Sequence, residues 1–189
     1  MSGQDCRPMR HLSAPVLAVA LATGALFAAP AHAGEVFAGA YVHAVETPFT
    51  FETGEGGVDG VVGYRFDRIE ALSAIGKPAP YVLGAVNSRG DTDFAAVGLS
   101  WTIGKGALYV RPAVGLAIHD GPSENFGPNG EHYELGSRIL FEPEIAVGAR
   151  LSDRVSVEAS WMHISHAQLF SSTQNPGIDM MGVRVNLAL

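Results

Sequence analysis

Apolar and polar residues alternate with a period of two along most of the chain beyond residue 34. Residues 107–119, "ALYVRPAVGLAIH", show the pattern clearly. Their even positions form an apolar row: Leu108, Val110, Pro112, Val114, Leu116 and Ile118. The odd positions are mostly small or polar, with Arg111 in the middle. Successive side chains of a β-strand point to opposite faces, so the pattern predicts strands with one continuously apolar face.

Eight segments of this kind are predicted, at roughly 35–44, 57–66, 79–87, 92–103, 107–118, 138–150, 154–165 and 178–189. Segments of about ten residues have the length that a tilted strand needs to cross a bilayer. An even number of strands can close into a barrel with both chain ends on one side, and closure removes the unpaired edges that lipid does not tolerate. The predicted fold class is therefore all-β, an eight-stranded antiparallel transmembrane β-barrel over residues 34–189.

The polar faces of these segments separate a membrane barrel from a soluble protein. A soluble sandwich would show lysine, threonine and glutamate to water, whereas these faces carry glycine, alanine and isolated charges. The charges are Arg65, Arg111, Arg138, Arg150, Arg184, Glu142, Glu144 and Glu158. They can pair inside a narrow barrel while the apolar face meets lipid. A soluble periplasmic β-sandwich that binds a ligand is the weaker alternative, and a barrel filled by side chains does not suit a general diffusion pore.

The connections between the segments indicate how the barrel is oriented. The turns at 104–106 and 152–154 are short, as periplasmic turns of such barrels are. The loops expected at the outer end are longer: 45–56, 119–137 and 166–177. The 67–78 connection is an exception, because it is long although the alternation places it at the periplasmic end.

Residues 1–33 have the pattern of a secretory signal peptide. Two arginines precede a long apolar run rich in alanine, and "AHA" at residues 31–33 supplies the small residues that a signal peptidase reads, which predicts cleavage after Ala33. The only cysteine, Cys6, is removed with this segment. The exported barrel is therefore predicted to reach the cell outer membrane without disulfides.

The exported part is acidic, which limits its partners. The chain has 12 basic and 19 acidic residues, of which two and one lie in residues 1–33, so the exported part has 10 basic against 18 acidic residues and a net charge of −8. Such a protein has no general electrostatic attraction for nucleic acid.

Candidate chemistry lies in "WMHISHAQLFSSTQNPGID", residues 161–179. The alternation places His163 and Ser165 in the same outward row as Trp161, and Asp179 on the outer face of the next strand at the same end. Residues two apart on a strand are about 7 Å apart and point the same way. A carboxylate on the adjacent strand can orient the histidine, so the spacing permits a Ser165–His163–Asp179 triad facing the outer leaflet.

The same residues also have a simpler interpretation. Polar side chains near the interfacial rim of a barrel cost only about 0–1 kcal/mol, so they could be there without chemistry, in a small structural barrel. The histidines of the 119–137 loop, His119 and His132, show no metal-ligand spacing, and no metal or other cofactor is predicted.

A family resemblance favours the catalytic interpretation. "HISHAQLFSSTQNPGID", residues 163–179, resembles the closing motif of the lipid A 3-O-deacylases (PagL, often labelled acyloxyacyl hydrolases). That motif reads His-x-Ser-Asn-Ala-Gly, then a short loop, then Asn-x-Gly-x-Glu. The resemblance extends more faintly over the whole exported part. It implies an eight-stranded outer-membrane barrel that hydrolyses the ester-linked acyl chain at position 3 of lipid A.

The resemblance also implies roles for individual residues. Ser165 matches the nucleophile and His163 the base, while Asp179 takes the place of the glutamate. His166 and Gln168 occupy the asparagine and glycine positions that help to hold the oxyanion, and are the oxyanion candidates here.

The implied substrate is lipid A, or whole lipopolysaccharide, in the outer leaflet. Lipid A carries phosphates, and Arg89, in a predicted outer loop, is the candidate for contacting them. A homodimer is compatible with this pattern, and the non-catalytic structural barrel is the alternative function.

Overall fold

The structure is a computed structural model that describes residues 34–50, 53–121, 125–126, 132–133, 135, 137–167 and 176–189. The predicted signal peptide, residues 1–33, lies outside the described residues. The strands among them are β1 Glu35–Val42, β2 Val58–Arg65, β3 Ala79–Asn87, β4 Phe94–Ser100, β5 Leu108–His119, β6 Asn125–Phe126, β7 His132–Tyr133, β8 Ile139–Arg150, β9 Val155–Ile164 and β10 Ile178–Ala188.

Eight of these strands form one closed antiparallel barrel in the order β1-β10-β9-β8-β5-β4-β3-β2, while β6 and β7 pair separately within the β5–β8 connection. The eight barrel strands match the eight alternating segments of the sequence, with ends that differ by at most a few residues. The predicted fold class is confirmed.

The seam of the barrel is the pairing of its first and last strands. β1 pairs with β10 from Glu35–Ala188 to Val42–Met181, and its other edge pairs with β2. Beyond the strand ends, the Leu189 amide donates to the Gly34 carbonyl at 3.0 Å. Residues 34 and 189 therefore lie at one end of the barrel, and the β1–β2 and β9–β10 loops lie at the other.

The long β2–β3 connection contains a 3-10 helix, Glu70–Ile75. The Trp101 indole donates to the Ile75 carbonyl at 2.7 Å, which ties this helix to the end of β4. Gly76 ends the helix in the left-handed conformation, with φ 86°, a geometry that glycine adopts without strain. Within the part of the chain that the structure describes, no helix is long and apolar enough to cross a membrane.

The interior of the barrel combines buried apolar and aromatic side chains with a buried network of charged ones. Its ion pairs include Arg111–Glu158 at 2.6 Å, Arg184–Glu144 at 2.8 Å and a pair between Arg65 and Glu35. Burying charges is costly unless each has a partner, and this network supplies partners across strands that are distant in sequence. The alternation therefore assigned most of the inward charges correctly.

Two of the predicted interior charges lie elsewhere. Arg138 and Arg150 are exposed at opposite ends of β8, where Arg138 donates to the carbonyls of His119 and Gly121 and Arg150 to that of Gly106. Both belong to the inward row, but at the strand ends their side chains are exposed to solvent, so the alternation alone misplaced them.

The outward row of each strand forms the apolar wall. Examples on the strands next to the candidate site are the exposed side chains of Ile145, Val147, Met181, Val183 and Val185. This is the surface that a bilayer covers in an outer-membrane barrel. Toward the loop end, the outward rows of β9 and β10 change character and become polar.

Candidate active site

The pairing of β9 with β10 brings two of the predicted site residues together. Asp179 stands directly opposite His163 in the register, and the His163 Nδ1 to Asp179 Oδ1 distance is 2.7 Å. The Asp179 side chain is fully buried, whereas 17% of the His163 side chain is exposed. An orienting acid is thus shielded from water while the imidazole reaches the surface, which is the arrangement a histidine base needs.

Asp179 accepts hydrogen bonds from two further side chains. The Trp161 indole Nε1 donates to Oδ1 at 2.9 Å, and the Thr47 hydroxyl donates to Oδ2. Thr47 belongs to the β1–β2 loop, and the backbone amide of Val45 in the same loop donates to the Asp179 carbonyl at 2.8 Å. Both carboxylate oxygens are therefore held, so a buried charge has the partners it requires.

The sequence does not predict these two partners. The alternation shows Trp161 only as a member of the lipid-facing row, and no pattern gives a role to Thr47. Trp161 could have been found, because it lies diagonally across the strand pair from Asp179. Thr47 carried no comparable signal, since it is 132 positions away along the chain.

Ser165 continues the outward row of β9, two residues beyond His163. It pairs with Phe141 of β8 through two backbone hydrogen bonds of 2.7 and 3.1 Å, and 7% of the residue is exposed. Since Asp179 occupies Nδ1 of His163, Nε2 is the ring nitrogen that remains for a serine proton. The structure thus fixes the strand positions of all three predicted triad residues.

The backbone around the candidate triad residues departs from regular pairing. The continuous pairing of β8 with β9 ends at Glu144–Met162, and a single bridge, Phe141–Ser165, follows it. The same register would place Pro143 opposite His163. Proline has no N–H to donate, which accounts for the gap in the ladder at the histidine. Just past the nucleophile position, Ala167 adopts a left-handed conformation with φ 51°, a strained geometry that is common at functional sites.

Gly177 packs against the ring of His163. Its φ of 63° is left-handed, and a Cβ placed on it would lie 2.7 Å from Cε1 of the imidazole. The residue must be glycine for both reasons, because any side chain would push the ring away from its position.

A Gly177→Ala substitution is therefore expected to lower the rate of a reaction that uses His163 as its base by about a hundredfold, since a displacement of about 1 Å at a reacting group can cost that much. The measurement is the initial rate of hydrolysis of the substrate that the sequence resemblance implies, in detergent micelles. Gly90→Ala is the matched control, because Gly90 is also left-handed at φ 76° but a Cβ there meets nothing within 4 Å. Equal rate losses for the two variants would show that backbone strain, not the His163 contact, is responsible.

Comparison with known proteins is consistent with this geometry. Residues 61–188 match the model of the family described as lipid A 3-O-deacylase (PagL). The chain belongs to the lipid A 3-O-deacylase family. A search of the curated proteins found no match. The matched segment includes all three candidate triad residues.

The fold of the deacylase is similar to that of a solved structure, and two further membrane barrels are more distantly similar. The crystal structure of the outer membrane enzyme PagL is 16% identical, covers 82% of this chain and 99% of its own, and superimposes with a TM-score of 0.58. Neisserial surface protein A is 11% identical with a TM-score of 0.49, covering 82% of this chain and 97% of its own. A de novo designed transmembrane β-barrel is 11% identical with a TM-score of 0.46, covering 83% and 95%. Family and fold place the deacylase in the outer membrane.

The other candidate residues of the deacylase are those proposed for the oxyanion and for the lipid A phosphates. His166 follows Ser165 and is fully buried, whereas Gln168 lies outside the described residues. Arg89 is exposed in the β3–β4 turn and packs against Gly56 and Gly57. Its described contacts do not reach the triad, so the structure does not bring this cation together with the other candidates.

The histidines of the β5–β8 region show no metal site. His119 Nε2 lies 2.6 Å from the Ser137 carbonyl and donates to it, while His132 lies in the short strand β7. Among the residues that the structure describes, no group of three or more His, Cys, Asp or Glu side chains could hold a metal ion.

A second buried histidine, His43, anchors the β1–β2 loop to the barrel. Its Nδ1 lies 2.8 Å from Asp59 of β2, and its Nε2 lies 2.8 Å from Glu55 in the loop. Burial alone would lower the pKa of His43, but the hydrogen bonds that its ring donates to the two carboxylates outweigh burial and raise the pKa to about 9. The charged histidine therefore links the loop that carries Thr47 to the barrel wall.

This link is expected to make the barrel less stable at alkaline pH. Because the pKa of His43 in the folded protein is raised above its ordinary 6.5, its stabilisation is complete below about pH 6.5 and is lost as pH rises through about 9. The raised pKa corresponds to a stabilisation of roughly 3 kcal/mol. The measurement is the urea unfolding midpoint of the detergent-solubilised barrel at pH 6 and at pH 9.5. A His43→Gln variant should show a smaller pH dependence than the wild type; an unchanged difference would contradict the assignment.

Proposed function

We propose that this lipid A 3-O-deacylase is a serine esterase whose catalytic residues are Ser165, His163 and Asp179. The observation that carries the proposal is the 2.7 Å contact between His163 Nδ1 and the buried Asp179 carboxylate, on the outer wall of the barrel. A carboxylate at Nδ1 keeps the proton on that nitrogen and leaves Nε2 as the base.

The reaction proceeds in two steps. Nε2 of His163 takes the proton of Ser165 as the Ser165 oxygen attacks the carbonyl carbon of the 3-O-acyl ester. The tetrahedral oxyanion collapses, the ester C–O bond breaks, and the released sugar hydroxyl takes the proton from His163. Water, activated by the same imidazole, then hydrolyses the acyl-enzyme to free fatty acid and restores Ser165.

Stabilisation of the oxyanion requires hydrogen-bond donors beside Ser165. His166 and Gln168 occupy the positions where the family motif has asparagine and glycine, and the side chain of either can donate a hydrogen bond. Losing one such donor typically costs about a hundredfold or more in rate. Fully buried His166, next to the nucleophile position, is our first candidate.

The location suits a substrate that stays in the membrane. The triad lies where the apolar wall turns polar, at the end of the barrel opposite residues 34 and 189. The proposed orientation puts this end at the outer leaflet, with residues 1–33 as the signal peptide that exports the chain. The ester of lipid A can then meet Ser165 while its acyl chains remain among lipid.

The test is mass spectrometry of lipid A from cells that express the wild-type chain beside cells that do not. The expected result is loss of one 3-hydroxyacyl group and appearance of the matching free fatty acid. The barrel is checked separately for heat-modifiable gel mobility in outer-membrane fractions. Unchanged lipid A in cells with a folded barrel would overturn the proposed chemistry and support a structural role.

A further inference from the structure

We infer that Thr47 is a positioning residue of the deacylation reaction, acting through Asp179; the inference rests on the proposed triad. Thr47 lies in the β1–β2 loop, outside the closing motif of the sequence, and its hydroxyl donates to Oδ2 of Asp179. Oδ1 of the same carboxylate is already shared by His163 at 2.7 Å and Trp161 at 2.9 Å. Both donors to Oδ1 therefore come from β9, whereas the donor to Oδ2 comes from Thr47 of the β1–β2 loop.

Hydrogen bonding, more than packing, fixes the carboxylate on this side. A cavity of about 280 Å³ lies between part of the β1–β2 loop and the first residues of β10. Its lining includes Ala44, Thr50, Glu55, Gly177 and Asp179. Side chains are held in one rotamer by close packing, and a void removes that constraint. Without the Thr47 hydroxyl, the Asp179 carboxylate could rotate about its terminal bond and weaken the bond to His163.

The loop itself is held at several points, so Thr47 is presented at a defined position. The Val45 amide binds the main-chain carbonyl of Asp179, and the Phe49 ring stacks on Trp161 with a centroid distance of 5.7 Å. Two further hydrogen bonds fix the turn around Thr47, from the Thr47 amide to Thr50 Oγ1 and from the Phe49 amide to Thr47 Oγ1. The loop touches both the acid and the tryptophan that helps to hold it.

The length of the Asp179 side chain explains why the contact with Thr47 matters. The family motif carries glutamate where this chain has aspartate, which is one methylene shorter. A shorter side chain reaches less far toward the imidazole, so donors that hold its carboxylate beside the ring have more effect on that contact. Thr47 and Trp161 are those donors, and the first outer loop is thereby part of the active site.

The experiment replaces Thr47 with valine, which keeps the shape and removes the hydroxyl, and measures kcat and KM on lipid A in micelles. The expected result is a kcat about tenfold lower with KM unchanged, because the substrate does not touch Thr47. Thr47→Ser should restore most of the rate. Thr53→Val is the matched control in the same loop, since Thr53 Oγ1 binds only the Glu55 amide among its described contacts. A normal kcat for Thr47→Val would overturn the inference.

A double-mutant cycle separates positioning from general loop stability. In an Asp179→Asn background, Thr47→Val should cause no further loss of rate, whereas an undiminished loss would show that Thr47 does not act through Asp179. Thr47→Ala serves if the valine variant does not fold. Ser165→Ala is measured alongside: activity in that variant would overturn the proposed triad itself, while an inactive Ser165→Ala with a fully active Thr47→Val would overturn only the positioning role.

Discussion

Replacing Ser165 with alanine is expected to reduce deacylation by at least about a thousandfold, because the remaining site has no group to form the acyl-enzyme. The barrel should fold normally. Ser165 contributes two backbone hydrogen bonds to the pairing with Phe141, and alanine makes the same two bonds. The side chain lies at the end of a strand, so removing one hydroxyl leaves the wall intact.

The measurement is the rate of fatty acid release from lipid A by the purified barrel in micelles. Labelling with a fluorophosphonate, which reacts with activated serine hydroxyls, gives a second readout and should be lost in the variant. Ser152→Ala is the control, since Ser152 is an exposed serine in the short β8–β9 turn at the opposite end of the barrel. Wild-type turnover in a folded Ser165→Ala protein would remove Ser165 from the mechanism.

Replacing Asp179 with asparagine should lower the rate by a comparable amount, about a thousandfold to ten-thousandfold. The carboxylate now accepts from three donors: His163, Trp161 and Thr47. An amide has only one acceptor oxygen, so its NH₂ group must face at least one of these donors. The amide would favour the imidazole tautomer with its proton on Nε2, which cannot take a proton from serine.

Asp179→Glu distinguishes the charge from the geometry. It keeps the carboxylate but adds a methylene to a fully buried side chain whose donors are arranged for aspartate. We expect a loss of about tenfold, since the longer side chain moves the carboxylate away from the position in which it meets its donors. Rates on lipid A are compared for the wild type, Asp179→Asn and Asp179→Glu. Equal activity of all three would show that residue 179 does not orient the base.

The barrel could be predicted from the sequence because the alternation is a local property. A strand that faces lipid on one side and a narrow interior on the other must repeat every second residue, so each segment reports its own two faces. Arg138 and Arg150 were misplaced because they lie where strands leave the barrel and long side chains reach solvent. The 3-10 helix in the β2–β3 connection was not predicted, since it has no apolar period of its own.

The candidate site could be predicted in part for the same reason. His163 and Asp179 lie on adjacent strands of one hairpin, so a short stretch of sequence and the rules of pairing place them opposite each other. The contact of Thr47 could not be predicted in this way, because it depends on the pairing of β1 with β10 and on how the β1–β2 loop folds over the barrel wall. The positive φ of Ala167 was equally hidden, since alanine does not favour that conformation.

The pairing of β1 with β10 has a consequence for when the enzyme becomes active. Asp179 lies on the last strand and Thr47 follows the first, so the acid and one of its donors come from opposite ends of the chain. They meet only in a barrel whose first and last strands are paired. An assembly intermediate would lack a fully oriented base while it travels through the periplasm. On the proposed mechanism, full esterase activity would thus report a closed barrel, and a chain with an open seam would work at a reduced rate.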